Sequence, residues 1–86
     1  MKVNVRLFAV ARQRAGVSDL SVDLPEFATV ADLRRALSTA SPELAGVVPG
    51  AMIAVEAAYA DDVDVIPEGA DVALIPPVSG GGAPES

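Results

Sequence analysis

The chain of 86 residues contains neither cysteine nor histidine. Without cysteine it can form no disulfide, no thiolate metal site and no cysteine nucleophile. Without histidine it lacks the commonest general base, which leaves carboxylates, hydroxyls, Tyr59 and Lys2 for proton transfer. We therefore expect no independent catalytic activity, and no metal or cofactor bound to the chain.

Basic and aromatic residues are also scarce. Six basic residues stand against twelve acidic ones, and no run of Lys or Arg is present that could neutralise a row of phosphates. No segment reaches the roughly 20 apolar residues of a membrane span, and several arginines interrupt any signal-peptide core. The sequence thus predicts a cytoplasmic protein that binds neither nucleic acid nor membrane.

Because only three side chains are aromatic, one modest core of Val, Leu, Ile and Ala is expected.

The first quarter of the chain predicts two strands and a short helical turn. Apolar residues alternate with polar ones up to about Phe8, which is typical of a strand with one buried face. The Ala- and Arg-rich segment 9–15 predicts a helical turn that ends at Gly16. A second alternation over residues 20–24 predicts a strand that pairs with the first.

The next segment has the clearest helix signal. Thr29 and Asp32 have the spacing of a capping box at a helix N-terminus. Apolar residues then recur at helical spacing over residues 30–40. Arg34 and Arg35 are predicted to lie on the solvated face of this helix.

The second half of the chain predicts three more strands. Residues 52–55 and 72–74 alternate in polarity, and Val63 and Val65 predict a short strand between them. The three aspartates around Val63 lack the glycine and distal glutamate of an EF-hand, so we assign no calcium site to them.

This order of elements predicts an α+β fold. One main helix should cover one face of a mixed sheet of four to five strands, as in the β-grasp, ubiquitin-like fold. A crossover through the helix should make strands of the first and second halves neighbours. We assign residues 1–78 to the domain and expect residues 79–86 to form a flexible, Gly-rich tail.

The glycines of this tail indicate a chemical use. Backbone without Cβ can pass through a narrow channel, and Pro76 and Pro77 stiffen the exit from the last strand. A terminal carboxylate presented in this way can be adenylated by another enzyme and then attacked. A Gly- and Ser-rich segment is also typical of an inert linker.

Two segments resemble the small subunit of molybdopterin synthase. Residues 7–12, with Gly16 beyond them, resemble the opening of that family. The more specific match runs from Glu68 to Gly81 and consists of a turn glycine, an alternating strand, two prolines, a two-residue spacer and a double glycine. The resemblance covers residues 1–81, and it implies the β-grasp fold.

The resemblance implies a sulfur carrier. A ubiquitin-activating-like adenylyltransferase would use ATP to adenylate the carboxylate of Gly81, which follows Gly80, and a sulfur donor would convert it to a thiocarboxylate. The carrier would then dock on the large synthase subunit, in a heterotetramer, and give sulfur to the cyclic pterin precursor of molybdopterin. The apolar residues around the exit of the tail are predicted to contact the large subunit. They are Phe8, Ile75, Pro76, Pro77 and Val78.

The chain departs from this family at two places. Glu56 stands where many members have asparagine. Family members usually end at the double glycine, whereas here Gly81 is joined to Gly82, so we predict that a processing protease removes the residues beyond Gly81. Two alternatives stay open, a sulfur carrier for thiamine or cysteine biosynthesis and a β-grasp interaction module without sulfur chemistry.

Overall fold

The computed structural model describes residues 1–77 of the chain. Within this range the elements are β1 Lys2–Leu7, α1 Ala9–Ala15, β2 Asp19–Asp23, α2 Val30–Ala40, β3 Met52–Val55, β4 Ala58–Ala60 and β5 Val72–Ile75. Two 3₁₀ turns, Pro42–Leu44 and Val48–Gly50, connect α2 to β3. Neither helix in this part of the chain has the length and apolar character needed to cross a membrane.

The strands form one mixed sheet in the order β2-β1-β5-β3-β4. Strands β1 and β2 pair, as predicted, and the pairing is antiparallel. Strands β1 and β5 are parallel neighbours, with Leu7 opposite Leu74, so the first and last strands meet at the centre of the sheet. The predicted α+β class, with a mixed β-grasp sheet of four to five strands and one main helix, is therefore confirmed.

The core lies between one face of this sheet and α2. Leu33 and Leu37 of α2 are fully buried. They pack in one cluster with the inward-facing side chains of β1, β3 and β5, including Val5, Ile53 and Leu74. The three aromatic residues of the chain all lie on the surface, which confirms the prediction of an aliphatic core.

The N-terminus of α2 has the predicted capping box. The hydroxyl of Thr29 accepts a hydrogen bond from the backbone N–H of Asp32, and the carboxylate of Asp32 accepts one from the N–H of Thr29 at 2.9 Å. This second bond is the main cause that lowers the pKa of Asp32. Because the pKa is lowered in the folded state, the capping interaction stabilises the protein at neutral pH. The stabilisation is lost as the pH falls through that lowered pKa.

Arg34 does not lie on a solvated helix face, so that prediction is wrong for this residue. Its side chain is only 20% exposed and makes three hydrogen bonds. The guanidinium donates to the carbonyls of Val48 and Ala51 at 2.7 and 2.8 Å and to the carboxylate of Asp62 at 2.8 Å. Arg34 therefore joins α2 to the 3₁₀ turn before β3 and to the loop after β4.

Replacing Arg34 by alanine should lower the free energy of unfolding by about 2–3 kcal/mol, because two carbonyls lose a charged donor. Chemical denaturation measures this loss. Arg35→Ala is the matched control. The Arg35 side chain is 72% exposed and pairs with Asp32, so its loss should cost less than about 1 kcal/mol. Equal losses in the two variants would show that Arg34 does not have this structural role.

The short strand lies at Ala58–Ala60, not at residues 63–65, so the predicted position is wrong. Glu56 and Ala57 have φ angles of 53° and 66° and form the two-residue connection between β3 and β4. Positive φ at both central positions is the geometry of a type I′ hairpin, which Asn-Gly favours. A Glu-Ala pair gives no sequence signal for such a turn.

The segment predicted as that strand is a turn. The backbone N–H of Asp61 donates to the carboxylate of Asp64 at 2.8 Å, and the N–H of Asp64 donates to the carbonyl of Asp61 at 2.9 Å. Val63 is exposed, and Val65 makes only an isolated bridge to Thr29. Alternating valines alone were therefore insufficient to identify a strand.

Candidate functional site

The C-terminal segment leaves the sheet after Ile75, the last residue of β5. We call this point the exit, and it lies at the end of the sheet where β1 and β5 both finish. The two strands are parallel, and the N–H of Phe8 donates to the carbonyl of Leu74 at 3.3 Å. The structure therefore brings together four predicted docking residues, Phe8, Ile75, Pro76 and Pro77. The other predicted site residues, Val78, Gly80 and Gly81, and the predicted domain boundary after residue 78 lie outside the described residues.

A row of apolar side chains crosses the sheet at this end, on the face that α2 does not cover. Phe8 is 41% exposed. Phe8 follows Leu7, which pairs with Leu74, and it lines one cavity together with Ile75. Met52 lies opposite Ile75 on the neighbouring strand β3. The row therefore continues from the predicted docking residues onto β3.

A second row lies behind the first and consists of small residues with one aromatic side chain. Ala73 is opposite Ala54, which in turn is opposite Tyr59. Between this row and Phe8 lies a shallow cavity of about 340 Å³. We call the two rows together the open-face patch, defined by Phe8, Met52, Ala54, Tyr59, Ala73 and Ile75.

Charged groups mark the border of the open-face patch. The guanidinium of Arg6 lies 3.2 Å from the carboxylate of Asp71, and both side chains line the cavity or its rim and are more than half exposed. The carboxylate of Glu56 accepts a hydrogen bond from the backbone N–H of Asp71. An exposed pair such as Arg6 and Asp71 contributes little to stability. Both charges therefore remain available for contacts with a partner that docks on the open-face patch.

The two prolines at the exit differ in their surroundings. Pro76 is buried and Pro77 is exposed. Both line a groove of about 280 Å³ together with Val10 of α1 and Val47 of the connection between the 3₁₀ turns. Since proline fixes φ, the chain leaves the domain in a constrained direction.

The described residues offer chemistry suited to binding an apolar surface. In residues 1–77 no group of three acidic side chains lies close enough to hold a metal ion. Asp62, from the aspartate cluster noted in the sequence, instead binds Arg34. The open-face patch is apolar apart from the hydroxyl of Tyr59. It can therefore bind an apolar surface while the residues after Pro77 extend beyond it.

Most of the open-face patch was not predicted from the sequence. The alternation that places Ile53 and Val55 toward the core places Met52 and Ala54 on the opposite face, so the signal for these two was present. Tyr59 had no such signal because β4 itself was misplaced. The patch thus extends the predicted docking surface along β3 and β4.

Comparison with known proteins gives concordant matches. The sequence model of the ThiS family matches residues 5–81. The molybdopterin synthase sulfur carrier subunit of Chlamydomonas reinhardtii is 34% identical over 83 residues, which are 94% of this chain and 100% of that protein. This relative confirms the resemblance predicted from the sequence.

Solved structures agree on the fold. SAMP1 from Haloferax volcanii is similar with a TM-score of 0.83 at 30% identity, over 94% of this chain and 100% of that chain. A chain in the complex of subunits 1 and 2 of the molybdopterin-converting factor from Helicobacter pylori 26695 is similar with a TM-score of 0.65. That match has 22% identity and covers 91% of this chain and 96% of that chain, and at this identity it shows the fold alone.

Proposed function

The chain belongs to the ThiS family, and from this membership we propose that it is a sulfur carrier that acts through a thiocarboxylate at Gly81. The observation that supports this most directly is the extent of the family match, which ends at residue 81, the second glycine of the Gly80-Gly81 pair. The parallel pairing of β1 with β5 adds a structural argument. It brings the exit of the C-terminal segment beside the open-face patch, in which Phe8, Met52 and Tyr59 are exposed.

The proposed chemistry has two steps on the carboxylate of Gly81. A ubiquitin-activating-like adenylyltransferase transfers AMP from ATP to the carboxylate and releases pyrophosphate. Hydrogen sulfide (HS⁻) released by a sulfur donor then attacks the acyl carbon, AMP leaves with its pair of electrons, and loss of the S–H proton gives the thiocarboxylate. The chain supplies a reactive atom and a docking surface, while the enzyme binds ATP and provides the catalytic groups. A carrier of this kind needs neither His nor Cys, and this chain contains neither.

We propose that sulfur passes to the cyclic pterin precursor of molybdopterin on a large synthase subunit. The similarity to a molybdopterin synthase sulfur carrier subunit supports this acceptor. The Helicobacter pylori complex shows that a chain of this fold pairs with a second subunit. In our proposal the open-face patch and the exit residues Pro77 and Val78 contact the large subunit, in a heterotetramer located in the cytoplasm. Pro76 was also predicted as a docking residue, but it is buried and therefore fixes the direction of the chain instead of touching the partner.

Activation further requires a free carboxylate at Gly81. In the sequence the Gly81 carbonyl forms a peptide bond with Gly82, and an amide cannot be adenylated as a carboxylate. We therefore propose that a processing protease cuts after Gly81 before the activating enzyme acts.

A reconstituted sulfur transfer tests the proposed function. The form that ends at Gly81 is loaded with sulfur and then mixed with the large subunit and the cyclic pterin precursor. We expect formation of the molybdopterin dithiolene and return of the carrier to the carboxylate form. A loaded carrier that instead supplies only thiamine or cysteine biosynthesis would change the acceptor in the proposal. A chain that never acquires sulfur would identify an interaction module.

Phe8→Asp should weaken binding to the large subunit by about tenfold or more, because an exposed aromatic anchor is replaced by a charge. The domain should stay folded, since Phe8 is the N-cap residue of α1 and makes no side-chain capping bond, and aspartate is a favourable N-cap. Isothermal titration calorimetry measures the affinity, and circular dichroism measures folding.

Val63→Asp is the matched control for Phe8→Asp. Val63 is 81% exposed and lies in the loop after β4, outside the open-face patch. The control should bind the large subunit as the unmodified chain does. If folded Phe8→Asp protein also binds with unchanged affinity, the open-face patch is not the docking surface.

A further inference from the structure

A second exposed apolar site lies at the opposite end of the sheet from the C-terminal exit. Phe27, between β2 and α2, has a side chain that is 79% exposed. It lies near Met1, where β1 begins, whereas the exit lies near Phe8, where β1 ends. The site is therefore separate from the open-face patch.

The backbone of Phe27 has an unfavourable conformation. Its φ angle is 64°, in the left-handed region. For a residue with a Cβ this conformation costs about 1–2 kcal/mol, and it is a clear outlier for a bulky aromatic side chain. Because the ring is exposed, its burial within the domain offsets little of this free-energy cost. Strained conformations of this kind are concentrated at binding and catalytic sites.

The strained turn forms one wall of a groove. The N–H of Ile66 donates to the carbonyl of Ala28 at 2.9 Å, and Val65 forms a bridge with Thr29, so the segment after β4 runs antiparallel to the turn. The groove has a volume of about 460 Å³. Its apolar lining consists of Met1, Phe27, Val65, Ile66 and Pro67.

The charges at the groove are mainly negative. The carboxylate-bearing residues Glu26 and Glu68 line it together with the apolar residues. The ammonium group of Met1 donates to the carbonyl of Leu24, and it is the one positive charge against these two carboxylates among the lining residues. An occupant should therefore combine an apolar side chain with positive charge, which complements both features of the groove.

We propose that this groove, called here the Phe27 groove, binds a partner protein through an aliphatic or aromatic side chain that has Lys or Arg on either side. A second copy of this chain is a poor occupant, since a symmetric pair would bring Glu26 and Glu68 of both copies together. Because the groove and the C-terminal exit lie at opposite ends of the sheet, such a partner can hold the protein while the C-terminal residues are engaged elsewhere. The proposal does not depend on sulfur chemistry.

NMR titration of the isotopically labelled full chain tests this proposal with three synthetic peptides. The first has one leucine flanked by two lysines on each side, the second has glutamate in place of lysine, and the third has alanine in place of leucine. We expect saturable shifts at residues 26–28 and 64–68 with the first peptide. Binding of the other two should be about tenfold weaker or absent.

Two variants distinguish binding at the Phe27 groove from a general electrostatic attraction between a basic peptide and an acidic protein. Phe27→Gly should weaken binding of the first peptide by about tenfold, without lowering the stability of the domain, because glycine accepts the positive φ. Val17→Ser removes another exposed apolar side chain, 45% exposed after the C-cap of α1, and should leave binding unchanged. Shifts that are equal for the lysine and glutamate peptides, or that persist in Phe27→Gly, would overturn the proposal.

Discussion

The full-length chain is expected to be inert with ATP and an activating enzyme, whereas a form that ends at Gly81 is expected to be adenylated. The reason is chemical. Adenylation needs a carboxylate oxygen as nucleophile, and in the full-length chain the Gly81 carbonyl is an amide bonded to Gly82. Release of pyrophosphate, measured with both forms under the same conditions, gives the rates. We also expect intact mass of the protein from its native host to show cleavage after Gly81.

A form that ends at Gly82 is the control for the position of the cut, because it has the same free carboxylate one residue later. It should be activated more slowly than the form that ends at Gly81, if the family match to residue 81 marks the reactive terminus. Full-length protein that releases pyrophosphate as fast as the shortened form, with unchanged mass beforehand, contradicts the need for processing.

Gly81→Val, made in the form that ends at residue 81, should abolish thiocarboxylate formation. A β-branched side chain at the terminus widens the chain and restricts φ, so the terminus no longer fits a channel that accepts glycine. The free energy of unfolding should change by no more than about 0.5 kcal/mol, because the substitution lies outside the core found in residues 1–77.

Gly81→Ala gives a graded comparison with Gly81→Val. Its single methyl group adds less width, so we expect a reduced but measurable yield of thiocarboxylate. Thermal denaturation of both variants controls for folding. A normal yield from Gly81→Val would mean that the terminus does not pass through a narrow channel on its way to the activated state.

Much of this fold could be predicted because its signals are local. The capping box of α2 depends on two side chains, Thr29 and Asp32, at fixed spacing, and both hydrogen bonds are present. The glycine stop of α1 is also confirmed, with Gly16 at φ 76° as the C-cap. The alternation in β1, β3 and β5 was sufficient to predict the buried face of the sheet. The crossover rule predicted that strands of the first and second halves are neighbours, and the pairing of β1 with β5 confirms this.

The errors have tertiary causes. Strand β4 was missed because its hairpin turn places Glu56 and Ala57 at positive φ, a conformation that these residue types do not signal. The role of Arg34 was missed because its partners, the carbonyls of Val48 and Ala51, come from a connection whose path the helix pattern does not specify. A charged side chain on the outer face of a helix is normally solvated. Only the tertiary structure shows that Arg34 is an exception.

In the candidate site, too, the residues with local sequence signals were predicted and those placed by strand pairing were missed. Phe8 and Ile75 were predicted as docking residues from their position next to the exit, and in the structure both line the same cavity. Tyr59 joins this surface only through the pairing of β4 with β3, which no local pattern indicated. The roles of Val78, Gly80 and Gly81 remain proposals based on the family match and on the chemistry of a terminal carboxylate.

The central claim is that the carboxylate of Gly81 carries sulfur, and intact mass spectrometry tests it most directly. The form that ends at Gly81 is incubated with the activating enzyme, ATP and a sulfur donor, and its mass is compared with that of a sample without ATP. We predict an ATP-dependent mass increase equal to the exchange of one oxygen atom for sulfur, located in the C-terminal fragment. An unchanged mass with an activating enzyme that charges another carrier under the same conditions would contradict the account.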